Sequence, residues 1–148
     1  MMWICPACNQ KFLHQNQNHS CGDKTIADFL NGKTAHTLAL FYYFLEEYKL
    51  IGDFVLHPAK SRIALARHTR FCSINQLGKD FLHFVLPLDK LYPDNLVFTK
   101  IGQVHNSNVF NHHCRIYSKD DVNDEVKKFM QLAYDIDEKA GKSLIYIH

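Results

Sequence analysis

No stretch of this chain approaches the roughly 18 unbroken apolar residues that a membrane-spanning helix needs, so no membrane partner is expected. The opening residues, Met1-Met2-Trp3-Ile4-Cys5-Pro6, lack the basic and apolar segments of a secretory leader, which sets the expectation of a cytoplasmic protein. There is no P-loop, no Rossmann glycine pattern, no paired-carboxylate motif and no Ser or Cys nucleophile motif. Internal repeats and low-complexity segments are absent as well. From Lys60 to Lys79 there is no acidic residue.

The 148 residues suit one domain, or one domain with a small appendage. With 47% hydrophobic and 13% aromatic residues the chain can build a core without disulfides and is not disordered. Its formal net charge is only +2, but the charge is unevenly spread. Lys60, Arg62, Arg67, Arg70 and Lys79 make a basic middle, whereas seven acids outnumber five lysines between Ser118 and Lys142.

Three of the five cysteines, Cys5, Cys8 and Cys21, crowd into the first 21 residues. Residues 1–22 are too poor in apolar side chains to form a core, so another agent must organise them. Cys5-x2-Cys8 on a tight turn lets two thiolates reach one tetrahedral ion, and His19-x-Cys21 supplies two further ligands. Pro6 stiffens the turn, and Phe12 stands where an aromatic covers many such sites. Three sulfurs and one imidazole suit a single Zn²⁺ per chain. Four protein ligands close the coordination sphere, which makes the site structural. His14 competes with His19 for the fourth position, and an iron–sulfur cluster would want a fourth cysteine. Cys72 and Cys114 stand alone in apolar strand-like runs and read as core thiols.

The composition changes at Gly22-Asp23, which divides a zinc knuckle, residues 1–22, from an α+β domain, residues 23–148. Helices are predicted over Thr25–Leu30, capped by Asp23 or Thr25, over Thr34–Leu50, with Leu38, Phe41, Leu45 and Tyr48 as its buried stripe, and over Lys119–Ala140. Ser118 caps the last of these, Val122, Val126, Phe129, Ala133 and Ile136 form its stripe, and Gly141 stops it. Strands are predicted over Phe54–His57, Arg62–His68, Phe71–Asn75, Phe81–Leu88, Leu96–Gly102 and Val109–Tyr117. Turns fall at Gln76–Gly78, Pro93–Asn95 and His105–Asn108. Connections this short favour an antiparallel sheet of five or six strands packed against two or three helices, with the doubly apolar Phe81–Leu88 central.

Trp3-Ile4-Cys5-Pro6-Ala7-Cys8, Phe12, Asn16-Gln17, His19-Ser20-Cys21-Gly22 and Phe29-Leu30-x-Gly32-Lys33 resemble the bacterial family called domain of unknown function 5655. The likeness continues through Lys60–Ala64, Arg70-Phe71, Phe81–Leu88, His112–Ile116, Ser118-x-x-Asp121-Val122-x-Asp124-Glu125 and Ala133-Tyr134. Residues 89–108 depart from it. The resemblance implies an α+β domain with an N-terminal Cys-His segment, and no activity.

Alternation along Arg62–His68 puts Ile63 and Leu65, with Arg67 following, on one face and Arg62, Ala64, Ala66 and His68 on the other. Lys60, Arg62 and Arg70 are candidate ligands for an anion such as phosphate; the bland alternative is a solvated sheet face. His112 shares its face with Phe110, Cys114 and Ile116, and so lies in the core or lines a pocket, while His113 and Arg115 share the opposite face. The expected function is a non-enzymatic binding module for an anionic ligand, nucleic acid or a protein partner. The alternative is an enzyme with a pocket around His112, Lys60, Arg62 and Arg70.

Overall fold

The computed structural model describes residues 3–4, 11–12 and 25–147. Its centre is one antiparallel sheet of six strands packed against helices, an α+β fold. Two short strands near the start, β1 (Trp3–Ile4) and β2 (Lys11–Phe12), pair with each other, Trp3 opposite Phe12. Helices α1 (Ile26–Leu30) and α2 (Ala35–Ile51) follow. The sheet then runs β3 (Val55–Pro58), β4 (Ile63–Ala66), β5 (Arg70–Gly78), β6 (Phe81–Leu88), β7 (Lys100–Gln103) and β8 (Phe110–Ile116). Helix α3 (Asp124–Ile147) closes the chain.

The strand order is β3-β4-β5-β6-β8-β7, all neighbours antiparallel, with β6 inside the sheet as its doubly apolar sequence predicts. Helices α2 and α3 both pack over β5 and β6. The ladder register sorts the side chains into two faces. Toward the helices point rows such as Ile63–Ile74–Phe84–Cys114 and Leu77–Leu82–Ile116, all buried. Aromatic rings tie the layers together: Phe44 meets Phe84 at 4.6 Å between centroids, and Phe71 contacts both Tyr48 and Tyr134. The Tyr48 hydroxyl donates to the Met130 carbonyl at 2.8 Å, joining α2 to α3.

Five local expectations need correction. Strand β5 runs through Gln76-Leu77-Gly78, and the turn to β6 is Lys79-Asp80 instead, with Asp80 at φ 63°. Asp tolerates that left-handed conformation better than most residues. Helix α2 holds the turn: the Thr37 hydroxyl accepts from the Asp80 N–H at 2.9 Å and donates to the Gly78 carbonyl at 2.8 Å, and the Thr34 hydroxyl donates to the Asp80 carboxylate.

The buried stripe of α2 is Thr37, Leu40, Phe41, Phe44 and Tyr48, with Leu38 and Leu45 only half-buried. This helix is apolar nearly all round, so spacing alone does not choose the face. The Thr37 bonds and the Phe44–Phe84 contact do.

Ser118 begins a single 3₁₀ turn, Lys119–Asp121, and Asn123 caps α3, its side chain accepting from the Val126 N–H at 2.9 Å. Helix α3 also runs through Gly141, because that glycine serves a close approach rather than a stop. A Cβ there would meet the His68 ring at 2.2–2.5 Å.

Finally, the strand expected at Leu96–Gly102 is only Lys100–Gln103, since residues 89–99 form an irregular connection in which Leu96 is almost wholly exposed.

Candidate anion-binding face

The six strands of the main sheet contain no Asp and no Glu, although they carry Arg70, Lys100, Arg115 and four histidines, His57, His83, His112 and His113. The acids of the described residues sit instead on helices, turns and connections. Register places most of the sheet's cationic and imidazole groups on the face turned away from α2 and α3. One row crosses all six strands there, His57–Ala64–Ser73–Val85–His113–Lys100. A second is Gln76–His83–Arg115. Arg70, opposite Ala66, joins the same face at the start of β5.

Lys60 and Arg62 lie in the turn that joins β3 to β4, where the Ala59 N–H donates to the Arg62 carbonyl at 2.8 Å. Lys60 and Arg70 are exposed and Arg62 is half-buried. Partial desolvation of the Arg70 head group, and after it the charge of Arg62, lowers the pKa of Arg70, so these two guanidiniums lie within electrostatic reach. Among the described residues no carboxylate forms an ion pair with Lys60, Arg62, Arg70, Lys100 or Arg115. Arg67 is different. Its Nε lies 2.7 Å from Glu138 Oε1, and its Nη1 donates to the Tyr134 hydroxyl at 2.9 Å, which ties it to α3. These bonds put Arg67 on the helix side of the sheet, the side of Ile63 and Leu65 as the alternation predicts.

His112 is brought to none of these cations. It faces the helices, fully buried, in the row Leu86–His112–Ile101. Its Nδ1–H donates to the Phe110 carbonyl at 2.8 Å and its Nε2 accepts from the Tyr92 N–H at 3.2 Å. That pattern requires the neutral ring. Desolvation lowers the His112 pKa, opposed by the backbone bond to Phe110. Phe98 and Tyr92 pack on the imidazole at 4.7 and 5.6 Å and continue to Phe129 of α3. Cys72 and Cys114 are buried free thiols. Burial pushes Cys114 up to about 12 and Cys72 well above its ordinary value, so neither is a nucleophile at neutral pH.

Sequence reasoning does not bring together His83, His113, Lys100 and Arg115; the fold does. His83 Nε2 and His113 Nδ1 lie 2.8 Å apart, and Arg115 stands over the Phe81 ring at 4.8 Å. The visible signal was the i, i+2 pair His113 and Arg115. The misplaced start of β7 hid the register that sets Lys100 opposite His113.

Cys5, Cys8, His14, His19 and Cys21 lie outside the described residues. In the sequence Cys5 and Cys8 fall between the paired strands β1 and β2, and β2 packs against β3. Among the described residues no group of three or more His, Cys, Asp or Glu side chains is placed to hold a metal, and no helix is long and apolar enough to cross a membrane. No family model matches this chain, and neither a curated protein nor a solved structure matches it.

Proposed function

We propose that this chain is a non-enzymatic binding module that takes phosphate-bearing anions on the face of its sheet turned away from α2 and α3, and that its N-terminal knuckle is held by one structural zinc. The observation that carries the reading is the acid-free sheet: six strands without a carboxylate, presenting Arg70, Lys100, Arg115, His83 and His113 and bordered by Lys60 and Arg62. Cations left without acidic partners keep their charge available to an external anion. Catalysis is the weaker reading because both nitrogens of His112, around which the enzymatic alternative places its pocket, are used inside the fold.

For the knuckle, the support is the donor set Cys5, Cys8, His19 and Cys21 together with the Trp3–Phe12 pairing across the Cys-x2-Cys segment. The free thiols Cys72 and Cys114 fit the reducing cytoplasm, and the likeness to domain of unknown function 5655 fits an α+β domain with such an appendage.

The test is retention on heparin and binding of a single-stranded oligonucleotide at low salt. Changing Arg62 and Arg70 together to Ala weakens both and flattens the dependence on salt, by about one unit of log–log slope for each phosphate that is no longer neutralised. Stability changes little, because neither guanidinium forms an ion pair among the described residues and surface charges of this kind contribute little to folding. Unchanged binding by the double variant overturns this assignment of the site.

A further inference from the structure

The anion-binding reading rests on the charge of the whole face, and one spot on that face is organised more tightly than the rest. His83 on β6 and His113 on β8 sit diagonally across a strand pair, ring centroids 5.0 Å apart, with Nε2 of one 2.8 Å from Nδ1 of the other. One of these two nitrogens carries the bridging proton and the other supplies the lone pair. Two nitrogens remain, His83 Nδ1 and His113 Nε2, with no hydrogen-bond partner among the described residues.

Arg115 is the ladder partner of His83, and Lys100 is the ladder partner of His113. Cross-strand partners stand about 5 Å apart, so two imidazoles, a guanidinium and an ammonium share a patch on the order of 10 Å across. The remaining neighbours carry no compensating charge: Gln76 on β5 beyond His83, Val85 on β6 opposite His113, and Gly102 on β7. Thr99, before β7, is used by the His113 carbonyl, which accepts from its N–H at 2.9 Å. Helices α2 and α3 pack on the opposite face.

We propose that His83, His113, Lys100 and Arg115 form a proton-coupled oxyanion site, which binds a tetrahedral phosphate-class group and takes up one proton on the histidine pair as it does so. Lys100 and Arg115 supply permanent charge, with Arg115 already held over Phe81. In the neutral pair only one of the two free nitrogens is an N–H donor; the proton taken up in the charged pair makes both of them donors to the anion's oxygens. Without an anion that charge is opposed. Burial first, then the charges of His113, Arg115 and Lys100, hold His83 below its ordinary 6.5. Burial, then Lys100 and His112, do the same to His113. The free pair is therefore neutral at pH 7. An anion set among the four groups reverses the electrostatic balance and raises the pair's affinity for a proton. Binding then tightens as pH falls, by close to tenfold per pH unit while a full proton is taken up, and levels off below the pKa of the free pair.

The test uses two probes whose charge does not change between pH 5.5 and 7.5, inorganic sulfate and a short single-stranded oligonucleotide. Titration calorimetry in buffers of different ionisation enthalpy reads affinity and proton uptake together. The expected result is uptake approaching one proton near pH 7 and affinity rising close to tenfold per unit of pH decrease. His83→Gln with His113→Gln keeps the polar contacts but abolishes uptake and slope. Preference for the oligonucleotide identifies a nucleic-acid backbone as the source of the oxyanion; sulfate binding of the same strength identifies a free tetrahedral anion. Binding of either probe without proton uptake, or an unchanged slope in the double variant, overturns the proposal. If that pH-independent binding is abolished on changing Arg62 and Arg70 to Ala, the wider anion-binding reading stands without this site. If neither probe binds at low salt, both fall.

Discussion

Replacing His112 by Leu tests the most tightly determined polar group in the core. The imidazole is fully buried, and both its nitrogens are bonded to backbone, to the Phe110 carbonyl and the Tyr92 N–H. Leucine fills a similar volume but satisfies neither. A buried backbone group stripped of its partner costs about 1–3 kcal/mol. Both bonds are partly buried, and the longer one, 3.2 Å to Tyr92, belongs at the low end of that range. The two ring contacts, to Phe98 at 4.7 Å and Tyr92 at 5.6 Å, contribute about 0.5–1.5 kcal/mol each beyond area burial. Leucine recovers part of this through apolar burial, which leaves a net destabilisation of about 3 kcal/mol. Urea unfolding reads this directly as a shifted midpoint with unchanged slope. For a domain of this size the melting temperature falls about 6–12 °C. His112→Gln, which keeps one donor and one acceptor, loses less. A leucine variant within about 1 kcal/mol of the parent refutes the argument, because the two backbone groups would then have found water or other partners. A stable variant unable to bind anions would restore His112 as a pocket residue.

Three further outcomes follow from the structure. Stability falls on acidification: His83, His112 and His113 are all held below 6.5 in the fold, so below that pH the unfolded chain binds more protons. The urea midpoint is then highest above pH 6.5 and drops toward pH 5; a flat or rising profile contradicts this. Asp137→Ala costs about 3 kcal/mol, since the buried carboxylate accepts from the His68 N–H at 3.0 Å, the Thr69 N–H at 2.7 Å and the Thr69 hydroxyl; an unchanged unfolding midpoint would show that the turn from β4 to β5 does not depend on α3. Cys8→Ser removes one equivalent of zinc, read by native mass spectrometry of protein purified without chelator, while the near-ultraviolet dichroism of the aromatic core persists; parent protein without metal refutes the knuckle.

The sheet was legible because β6 is apolar on both faces and because short connections admit little but antiparallel pairing. His112 was legible as inward-facing because β8 alternates cleanly. The turn at Lys79-Asp80 was not, since its cause is Thr37, more than forty residues earlier in the chain. Gly141 misled for a related reason: a glycine at a helix end and a glycine under a histidine ring look alike in one dimension. The basic site was half visible. The acid-free run from Lys60 to Lys79 stood out, but Arg67 within it is engaged by Glu138. The histidine pair is a diagonal contact between strands thirty residues apart, and no local pattern announces it.

The path of the chain through the sheet also bears on how the protein comes to be folded. Strands β3 to β6 are successive hairpins, and β7 and β8 make another, so most strand pairing joins near neighbours in sequence. The two helices that cover the sheet's apolar side come from opposite ends of this run, α2 before it and α3 after it. On a ribosome the whole meander therefore emerges before residue 124 does. Until α3 follows, Phe71 lacks its Tyr134 neighbour and the Tyr48 hydroxyl lacks the Met130 carbonyl. A finished sheet with one flank uncovered is a species prone to self-association. Docking of α3 is thus the step that commits the newborn chain, and slow passage through residues 124–137 lengthens the interval in which it needs protection.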